Sequence, residues 1–419
     1  MAQNVAVVRA NLTATGAGTT DFTSAGFGTP TAAIIVACAA NSTNNPQDGA
    51  TLSIGFWDGT NQRTIGVLAA DGAATTNTFR ISDDSYGVLP LSAAGLTNAY
   101  TISAVTDGIR LTLSVDNTVV ERYATVILLS GVSAKALTFT PNATQNSTTE
   151  SASLGFAPKL IFFTTIGDTS ADVAVEAVCI MSFGVAAVDG THRMIGFGSV
   201  TAVADEVATI KYSETRCVGQ VYNDATSTTW AGEVTTFGTD TFTMTTRDAA
   251  TGSDVCFALA LGGADLSYDL GTLTTPTSTG VQSTATDIAP DAILAMLSTA
   301  TSTTLETGSG ANGLMVGMAD DTNEYSHTIY VEDGAATTNT GSVASAVNFI
   351  NLDSSSGGSR TDLCVGTVTM DTDSFDIDFT TVDATARKGW WVAFGAAAAG
   401  GFQAAWARSA NSIIQGARI

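Results

Sequence analysis

The sequence predicts an all-β chain built from three tandem antiparallel, jelly-roll-like β-sandwich domains. Apolar and polar residues alternate with a period of two along most of the chain, as at 111–115 and 375–379, which is typical of half-buried strands. Asp-Gly pairs recur at short intervals and indicate hairpin turns. The octapeptide DGAATTNT occurs at 71–78 and again at 333–340, which indicates an internal repeat.

Three landmarks keep their order in each copy of the repeat. Each copy opens with an apolar phrase that contains proline, namely GFGTPTAAIIV, GFAPKLIFF and DIAPDAILAML. A second phrase surrounds Gly55, Gly184 and Gly317 and ends in DGT or DDT. Each copy closes with an apolar run that ends at Gly131, Gly263 or Gly395. Midway between the two octapeptides, DEVAT at Asp205–Thr209 is interpreted as a degenerate middle copy.

The repeat divides the chain into four predicted segments. They are β-sandwich repeats at 1–132, 133–265 and 266–395, called units 1, 2 and 3, and a C-terminal anchoring tail at 396–419. A unit of about 130 residues is as large as an independent domain. Because linkers are nearly absent, we expect rigid contact between neighbours. Three similar units in one chain also suggest that a single chain imitates a trimer.

The charge of the chain restricts its partners. The formal net charge is −23, and only 13% of the residues are charged. Such a surface repels nucleic acids and anionic membranes, so neither is predicted as a partner. The amino terminus lacks the pattern of a secretory signal, and no apolar run reaches the ~20 residues of a membrane span. We therefore expect synthesis in a cytoplasm.

Catalytic chemistry is not indicated by the sequence. The five cysteines form no CxxC pair, and they are predicted to be buried free thiols, although one disulfide involving Cys217 is left open. His192 and His327 lie in roughly corresponding loops of units 2 and 3, without a second ligand for a metal. No nucleophile elbow, zinc-protease or phosphate-loop motif occurs. No catalytic, cofactor-binding or metal-binding residue is predicted, and the chain is predicted not to be an enzyme.

Two weaker alternatives concern carboxylates and tryptophans. The loops with Asp83-Asp84, Asp320-Asp321 and Asp371 with Asp373 contain oxygen ligands that suit calcium, but solvated turns explain them better. A pair of carboxylates for glycoside cleavage cannot be selected from 39 acids. Trp57, Trp230, Trp390 and Trp391 lie in strand phrases. Of the adjacent pair, one is expected to face the core and the other to face outward or into a neighbouring unit.

The last segment of the chain differs from the rest. After Asp383 the only charged side chains are basic, and apolar residues accompany them. Such a tail suits an anchor, in which apolar residues enter a groove of a partner and arginines meet an acidic body; folding back onto unit 3 is the alternative. The predicted partner-binding residues are Phe402, Trp406, Arg408, Ile413, Ile414 and Arg418.

Several phrases carry a family resemblance. The closing runs ALALGG at 258–263 and DATARKGWWVAFG at 383–395, together with the ending AWARSANSIIQGARI, resemble virion structural proteins of tailed bacteriophages. The resemblance covers roughly residues 20–395 and implies a particle component with no catalytic residues to transfer.

The resemblance sets the functional expectation. We expect a non-enzymatic virion protein, most simply an exterior head decoration or a head/tail-attached protein. It would bind major capsid or tail subunits and form homo-oligomers in the particle, with no cofactor. The alternative is a receptor- or glycan-binding tail protein that contacts a host-surface glycan. A depolymerase, with two close carboxylates at a domain junction, is a third class.

Overall fold

The computed structural model describes most of the chain. The described residues are 2–13, 15–92, 95–117, 122–199, 208–221, 228–248, 254–303, 311–332 and 337–397. Within them the chain forms 33 strands joined by turns and no helix, and all named strand pairs are antiparallel. The predicted all-β class with antiparallel sandwiches is therefore confirmed.

Unit 1 contains two packed sheets. Its strands are β1 (Asn4–Leu12), β2 (Thr19–Thr23), β3 (Ala32–Cys38), β4 (Gln47–Asp48), β5 (Ala50–Trp57), β6 (Gln62–Ala69), β7 (Thr78–Asp83), β8 (Leu91–Ser92), β9 (Gly95–Leu96), β10 (Asn98–Val105), β11 (Gly108–Asp116) and β12 (Arg122–Ser130). The larger sheet has the order β1-β12-β3-β5-β6-β7, and the smaller sheet has the order β10-β11-β2. The short strands β8 and β9 pair with each other.

Unit 2 repeats this arrangement. Its strands are β13 (Ser133–Phe139), β14 (Thr148–Glu150), β15 (Pro158–Thr165), β16 (Val173–Ala177), β17 (Cys179–Ala187), β18 (His192–Ser199), β19 (Ala208–Ser213), β20 (Val218–Val221), β21 (Thr228–Phe237), β22 (Phe242–Asp248) and β23 (Cys256–Gly262). The larger sheet is β13-β23-β15-β17-β18-β19, and the smaller sheet is β14-β22-β21-β20.

Unit 3 has the same two sheets. Its strands are β24 (Tyr268–Thr274), β25 (Gly280–Ala285), β26 (Ile288–Ser298), β27 (Ala311–Asp320), β28 (Glu324–Glu332), β29 (Thr340–Ser345), β30 (Ile350–Ser356), β31 (Ser359–Met370), β32 (Ser374–Thr381) and β33 (Lys388–Ala397). The larger sheet is β24-β33-β26-β27-β28-β29, and the smaller is β25-β32-β31-β30. β33 includes the first two residues of the predicted tail.

The three units share one topology. In each, the first strand pairs with the last, and the second strand pairs with the one before the last. The pairing of the two ends of each unit with each other is the jelly-roll-like feature of the fold. The middle strands of the larger sheet instead form a meander, β3-β5-β6-β7 in unit 1. No strand runs through a boundary between units, since β12 ends at Ser130 and β13 begins at Ser133.

The larger sheets are buried on both faces. In β3, Ala33, Ile35 and Ala37 pack into the sandwich of unit 1. The alternate residues Ile34 and Val36 point the other way, into a cluster shared by all three units. The same alternation in β12 explains its continuous apolar run, because each side chain finds an apolar environment on its own face.

The cluster between the units is the centre of the molecule. We call it the central core; its aromatic members are Phe56, Phe162, Phe183, Phe197, Tyr212, Phe257, Trp390 and Phe394. Phe183 lies 6.1 Å from Phe56 and 5.3 Å from Trp390 between ring centroids, so one ring of unit 2 contacts units 1 and 3. The units are therefore not self-contained, because each depends on the others to cover its larger sheet.

Short strands also pass between units. β16 of unit 2 adds to the edge of unit 1 by pairing with β7, and β4 of unit 1 adds to the edge of unit 3 by pairing with β29. β4 and β16 occupy equivalent positions in the chain. β4 lies between β3 and β5, and β16 lies between β15 and β17. Each unit contacts both others, so the three units close into a ring with approximate three-fold symmetry.

The landmark glycines have a packing reason. A Cβ atom on Gly55 would lie 2.0 Å from the carbonyl oxygen of Gly87, and one on Gly184 would lie 2.3 Å from that of Cys217. On Gly317 it would lie 2.3 Å from the carbonyl oxygen of Phe349. The backbone of the bend that follows β7, β19 or β29 thus passes at the same place in all three units, and only glycine leaves room for it.

Candidate functional site

Polar contacts that recur between copies of the repeat lie at the junctions between units. We call the contacts of units 1 and 2, units 2 and 3, and units 3 and 1 the first, second and third junctions. At the first, Asp58 Oδ2 accepts the backbone N–H of Ala136 (2.9 Å), and at the third, Asp320 Oδ2 accepts that of Val7 (2.8 Å). These aspartates begin the DGT and DDT phrases, which explains the recurrence of those phrases.

An arginine–threonine contact recurs at two junctions. Arg63 and Arg193 occupy equivalent positions in β6 and β18. Arg63 Nε donates to Thr138 Oγ1 at 2.9 Å, and Arg193 Nε donates to Thr272 Oγ1 at 3.1 Å. The first and second junctions therefore use the same polar pair, as expected for copies of one interface.

The third junction replaces this pair with a stacked cation. Arg9 Cζ lies 3.6 Å from the ring centroid of Tyr123 and 5.6 Å from that of Tyr325. The three guanidinium nitrogens of Arg9 are buried without a hydrogen-bond partner. Burial lowers the pKa of Arg9, although it stays cationic at neutral pH. Cation–π contact with the two tyrosines stabilises the charge.

A second arginine fastens the first junction. Arg80 Nη2 lies 3.2 Å from Asp168 Oδ2 and 3.0 Å from Glu176 Oε2, both in unit 2. Its Nη1 donates to the carbonyl oxygens of Ile166 (2.9 Å) and Gly167 (3.1 Å). One side chain of β7 thus binds four groups of the neighbouring unit, beside the exchanged strand β16.

The octapeptide copies meet at the third junction. The N–H of Gly72 donates to the carbonyl oxygen of Thr338 (2.8 Å), and the N–H of Thr338 donates to that of Ala73 (3.0 Å). Asp71 Oδ1 accepts the N–H of Thr340 (2.8 Å). Residues 333–336 lie outside the described residues, but the contact shows that the repeated sequence forms an interface.

The proposed middle copy is shifted relative to its alignment. Matching Asp205 to Asp71 would place Tyr212 at the position of Thr78. The strand register instead makes Ala208 equivalent to Thr78, because these residues pair with Ser199 and Ala69. The DEVAT alignment is therefore wrong by four residues, and Asp205 itself lies outside the described residues.

The two histidines do not correspond, which corrects the sequence interpretation. His192 begins β18, and its Nε2–H donates to the carbonyl oxygen of Val234 (2.9 Å). His327 lies inside β28, where units 1 and 2 carry Ile65 and Ile195. Burial lowers the pKa of both imidazoles, that of His327 to about 3.

His327 forms a buried polar chain at the third junction. Its Nε2 lies 2.7 Å from Thr125 Oγ1, and its Nδ1 lies 3.1 Å from Cys38 Sγ. Cys38 Sγ in turn contacts the carbonyl oxygen of Val343 at 3.9 Å. A neutral imidazole with its proton on Nδ1 satisfies all three contacts. Burial raises the pKa of Cys38 to about 11, so the pair is a neutral structural contact and not a thiolate nucleophile.

The remaining cysteines and the tryptophans are buried as well. All five cysteines are buried and free. Trp390 packs in the central core and Trp391 in the sandwich of unit 3, which confirms that the adjacent pair divides between a core and a neighbouring unit. Trp57 and Trp230 lie inside the sandwiches of units 1 and 2. Neither therefore provides an outward-facing platform for a sugar.

One acidic group has the spacing of a cation site. The carboxylates of Asp83, Asp84 and Asp172 lie within 4.8 Å of one another at the first junction. Burial and the charges of Asp172 and Asp84 raise the pKa of Asp83. Calcium requires six to eight oxygens, so three carboxylates would complete only part of a shell. Asp320, from the second predicted loop, instead accepts backbone N–H groups.

Two acids have strongly raised pKa values. Burial raises the pKa of Asp254 in unit 2 to about 6 and that of Asp353 in unit 3 to about 8. Asp353 is held by Arg360 at 3.0 Å. Within the described part of the chain, no hydrogen bond joins these acids to each other or to His327. Asp353 has a close carboxylate neighbour, because Arg360 Nη2 also lies 2.5 Å from Asp362 Oδ1, and the charge of Asp362 contributes to the raised pKa of Asp353.

The predicted anchor residues cannot be placed. Phe402, Trp406, Arg408, Ile413, Ile414 and Arg418 lie outside the described residues. Sequence reasoning did not select the arginines at 9, 63, 80 and 193, which form the junctions. A signal for them exists: in a chain with so few cations, each arginine inside an apolar strand pattern stands out.

The comparisons with known proteins add little. Neither a protein-family model nor a curated protein matches the chain. Among solved structures, the LG1-3 region of the laminin alpha2 chain matches at 7% identity with a TM-score of 0.10, covering 92% of this chain and 95% of that chain. A likeness this weak supports no conclusion. Among the described residues, no helix has the length and apolarity to cross a membrane.

Proposed function

We propose that the chain is a non-enzymatic structural component of a tailed-phage virion, an exterior head decoration or a head/tail-attached protein. The observation that carries the proposal is the closed ring of three equivalent units around the central core. A ring with approximate three-fold symmetry presents three similar faces, so one copy can contact three equivalent partners. Three-fold positions of this kind occur in symmetric shells.

The outer surface supports an exposed location. Val188, Val281 and Val347 are the only large hydrophobic side chains that are exposed among the described residues. The net charge of −23 opposes non-specific association. On this proposal, specific attachment occurs through the basic apolar tail at 396–419 and through the edges of the sheets, with major capsid or tail subunits as partners.

The test is incorporation into particles. Purified virions made with the wild-type chain and with a chain lacking 398–419 are compared by quantitative mass spectrometry and imaged by cryo-electron microscopy. We expect density at a three-fold or pseudo-three-fold position and loss of incorporation without the tail. Circular dichroism and thermal unfolding of the truncated protein control for folding. Absence of the chain from mature particles contradicts the proposal, and normal incorporation of the truncated chain contradicts the anchor.

The alternative, a receptor- or glycan-binding tail protein, predicts a different result. A glycan-binding protein commonly stacks sugar rings on exposed aromatic side chains, and Trp57 and Trp230 cannot serve in this way because they are buried. It would require density at the tail tip and a signal from intact chain on a glycan array. That combination would replace the decoration proposal.

A further inference from the structure

A cavity in unit 1 is lined by Arg122, whose guanidinium has no side-chain partner in the part of the chain that the structure describes. The cavity has a volume of about 220 Å³ and lies beside the third junction. Leu68, Ala70 and Leu91 form apolar wall, and Asp48, Asp71 and Arg122 are its charged lining residues. The first octapeptide begins at this cavity, because its first residue is the lining residue Asp71.

Arg122 is buried without a counter-charge. The residue is 7% exposed, and its Nε is buried with no hydrogen-bond partner. Among the described residues, no side-chain hydrogen bond or ion pair reaches its guanidinium, and Asp48 and Asp71 of the same cavity are not paired with it. Burial lowers the pKa of Arg122, but an arginine remains charged at neutral pH.

Unit 3 provides an internal comparison. Arg387 occupies the position equivalent to Arg122, three residues before Trp390 as Arg122 is three residues before Thr125. Arg387 Nε donates to Asp383 Oδ2 at 2.8 Å, and Nη1 donates to the carbonyl oxygen of Thr299 at 2.7 Å. The fold therefore supplies a carboxylate for this arginine in unit 3, and none is paired with it among the described residues of unit 1.

An unpaired buried guanidinium is costly, and the usual compensation is a bidentate contact with a carboxylate or phosphate. The other charged residues that line the cavity determine which of these anions it accepts. Asp71, with Oδ1 bound to the N–H of Thr340, and the exposed Asp48 repel a multiply charged anion and accept hydrogen bonds. A ligand that suits both Arg122 and the two aspartates carries one carboxylate and, a few ångströms away, hydroxyl or ammonium donors.

We propose that this cavity is a binding site for a small carboxylate ligand with neighbouring hydrogen-bond donors, held by Arg122 and Asp71. The volume equals roughly seven water molecules at about 30 Å³ each, so one sugar acid or one amino acid fits and an oligosaccharide does not. The apolar wall of Leu68, Ala70 and Leu91 would contact the carbon skeleton. The site is independent of the proposed virion role.

The test is calorimetric titration of the full-length chain with two probes. D-glucuronate supplies hydroxyl donors and L-serine supplies an ammonium donor. Their counterparts without the carboxylate are D-glucose and L-serinamide, which keep the hydroxyl and ammonium donors. We expect millimolar or tighter binding of one probe and no binding of its counterpart without the carboxylate. Which probe binds identifies the source of the donors.

Variants assign the binding to this cavity. Arg122→Gln should weaken binding by at least about tenfold, the loss of a charge-assisted bidentate contact. Ala70→Leu keeps Arg122 and fills the cavity, so it should abolish binding even if Arg122→Gln does not fold. Arg110→Gln is the matched control, because Arg110 is exposed and paired with Asp21 at 2.6 Å. Failure of both probes to bind, or unchanged affinity in folded Arg122→Gln or Ala70→Leu, overturns the proposal.

Discussion

Replacing His327 by isoleucine should reduce the dependence of stability on pH. Isoleucine is the residue at the equivalent positions 65 and 195, so the fold accepts it there. In the folded chain, burial and the charge of Arg9 lower the pKa of His327 from 6.5 to about 3. As the pH falls through 6.5, the unfolded chain takes up a proton that the folded chain does not. The folded state therefore loses stability relative to the unfolded state on acidification.

The magnitude follows from proton linkage. Between about pH 7 and about pH 5, a histidine that stays neutral in the folded state costs about 2 kcal/mol of unfolding free energy. This figure hardly depends on the folded pKa as long as that pKa lies well below 5. Asp254 and Asp353, whose pKa values are raised to about 6 and about 8, change stability in the opposite direction. The comparison must therefore be between variant and wild type at each pH.

Urea unfolding at several pH values measures the effect. The difference in unfolding free energy between wild type and His327→Ile should shift by about 2 kcal/mol between about pH 7 and about pH 5. A constant offset is also expected, because Thr125 loses its partner, but it does not depend on pH. His192→Gln introduces the residue that unit 1 has at the equivalent position. This variant measures how much His192 contributes to the pH dependence of the unfolding free energy. Parallel pH profiles for wild type and His327→Ile would refute the assignment.

Three further predictions concern the units and their junctions. Gly184→Ala should destabilise the chain by about 1–3 kcal/mol in urea unfolding, because its Cβ would meet the carbonyl oxygen of Cys217; an unchanged midpoint would contradict the close approach. Asp58→Ala should cost about 1–3 kcal/mol, because it leaves the N–H of Ala136 without its acceptor, and a neutral effect would show that water replaces the carboxylate. Residues 133–265 expressed alone should self-associate, since their share of the central core is uncovered; a folded monomer in light scattering would show that the unit is independent.

The sequence predicted the parts of the fold that depend on local pattern. Alternation and turn signals identified strands, and the landmarks around Gly55, Gly184 and Gly317 identified three copies. These landmarks are reliable because each copy must solve the same packing problem, the passage of a backbone carbonyl over the sheet. The DGT phrases recur for a similar reason, since their aspartates bind the next unit.

The contacts between units were not predictable in the same way. β4 and β16 are only two and five residues long, and their partners lie in other units, so no local periodicity marks them. The burial of His327 depends on Thr125 and Cys38, which lie far away in sequence. An apolar alternation also cannot show whether the second face of a sheet meets solvent or another unit. For this reason the central core was missed, although its residues were recognised as buried strands.

The third junction explains how the ring stays closed. The first two junctions join units that are consecutive in the chain, whereas units 3 and 1 meet without a peptide connection. Additional contacts concentrate there. Gln3 exchanges two hydrogen bonds with the backbone of Ser267 (3.0 and 2.7 Å), and Ser342 Oγ accepts the N–H of Thr51 (2.9 Å). An interface of this head-to-tail kind forms open filaments unless its rotation closes. Because all three copies are held in one chain, closure is intramolecular and competes favourably with addition of a second molecule.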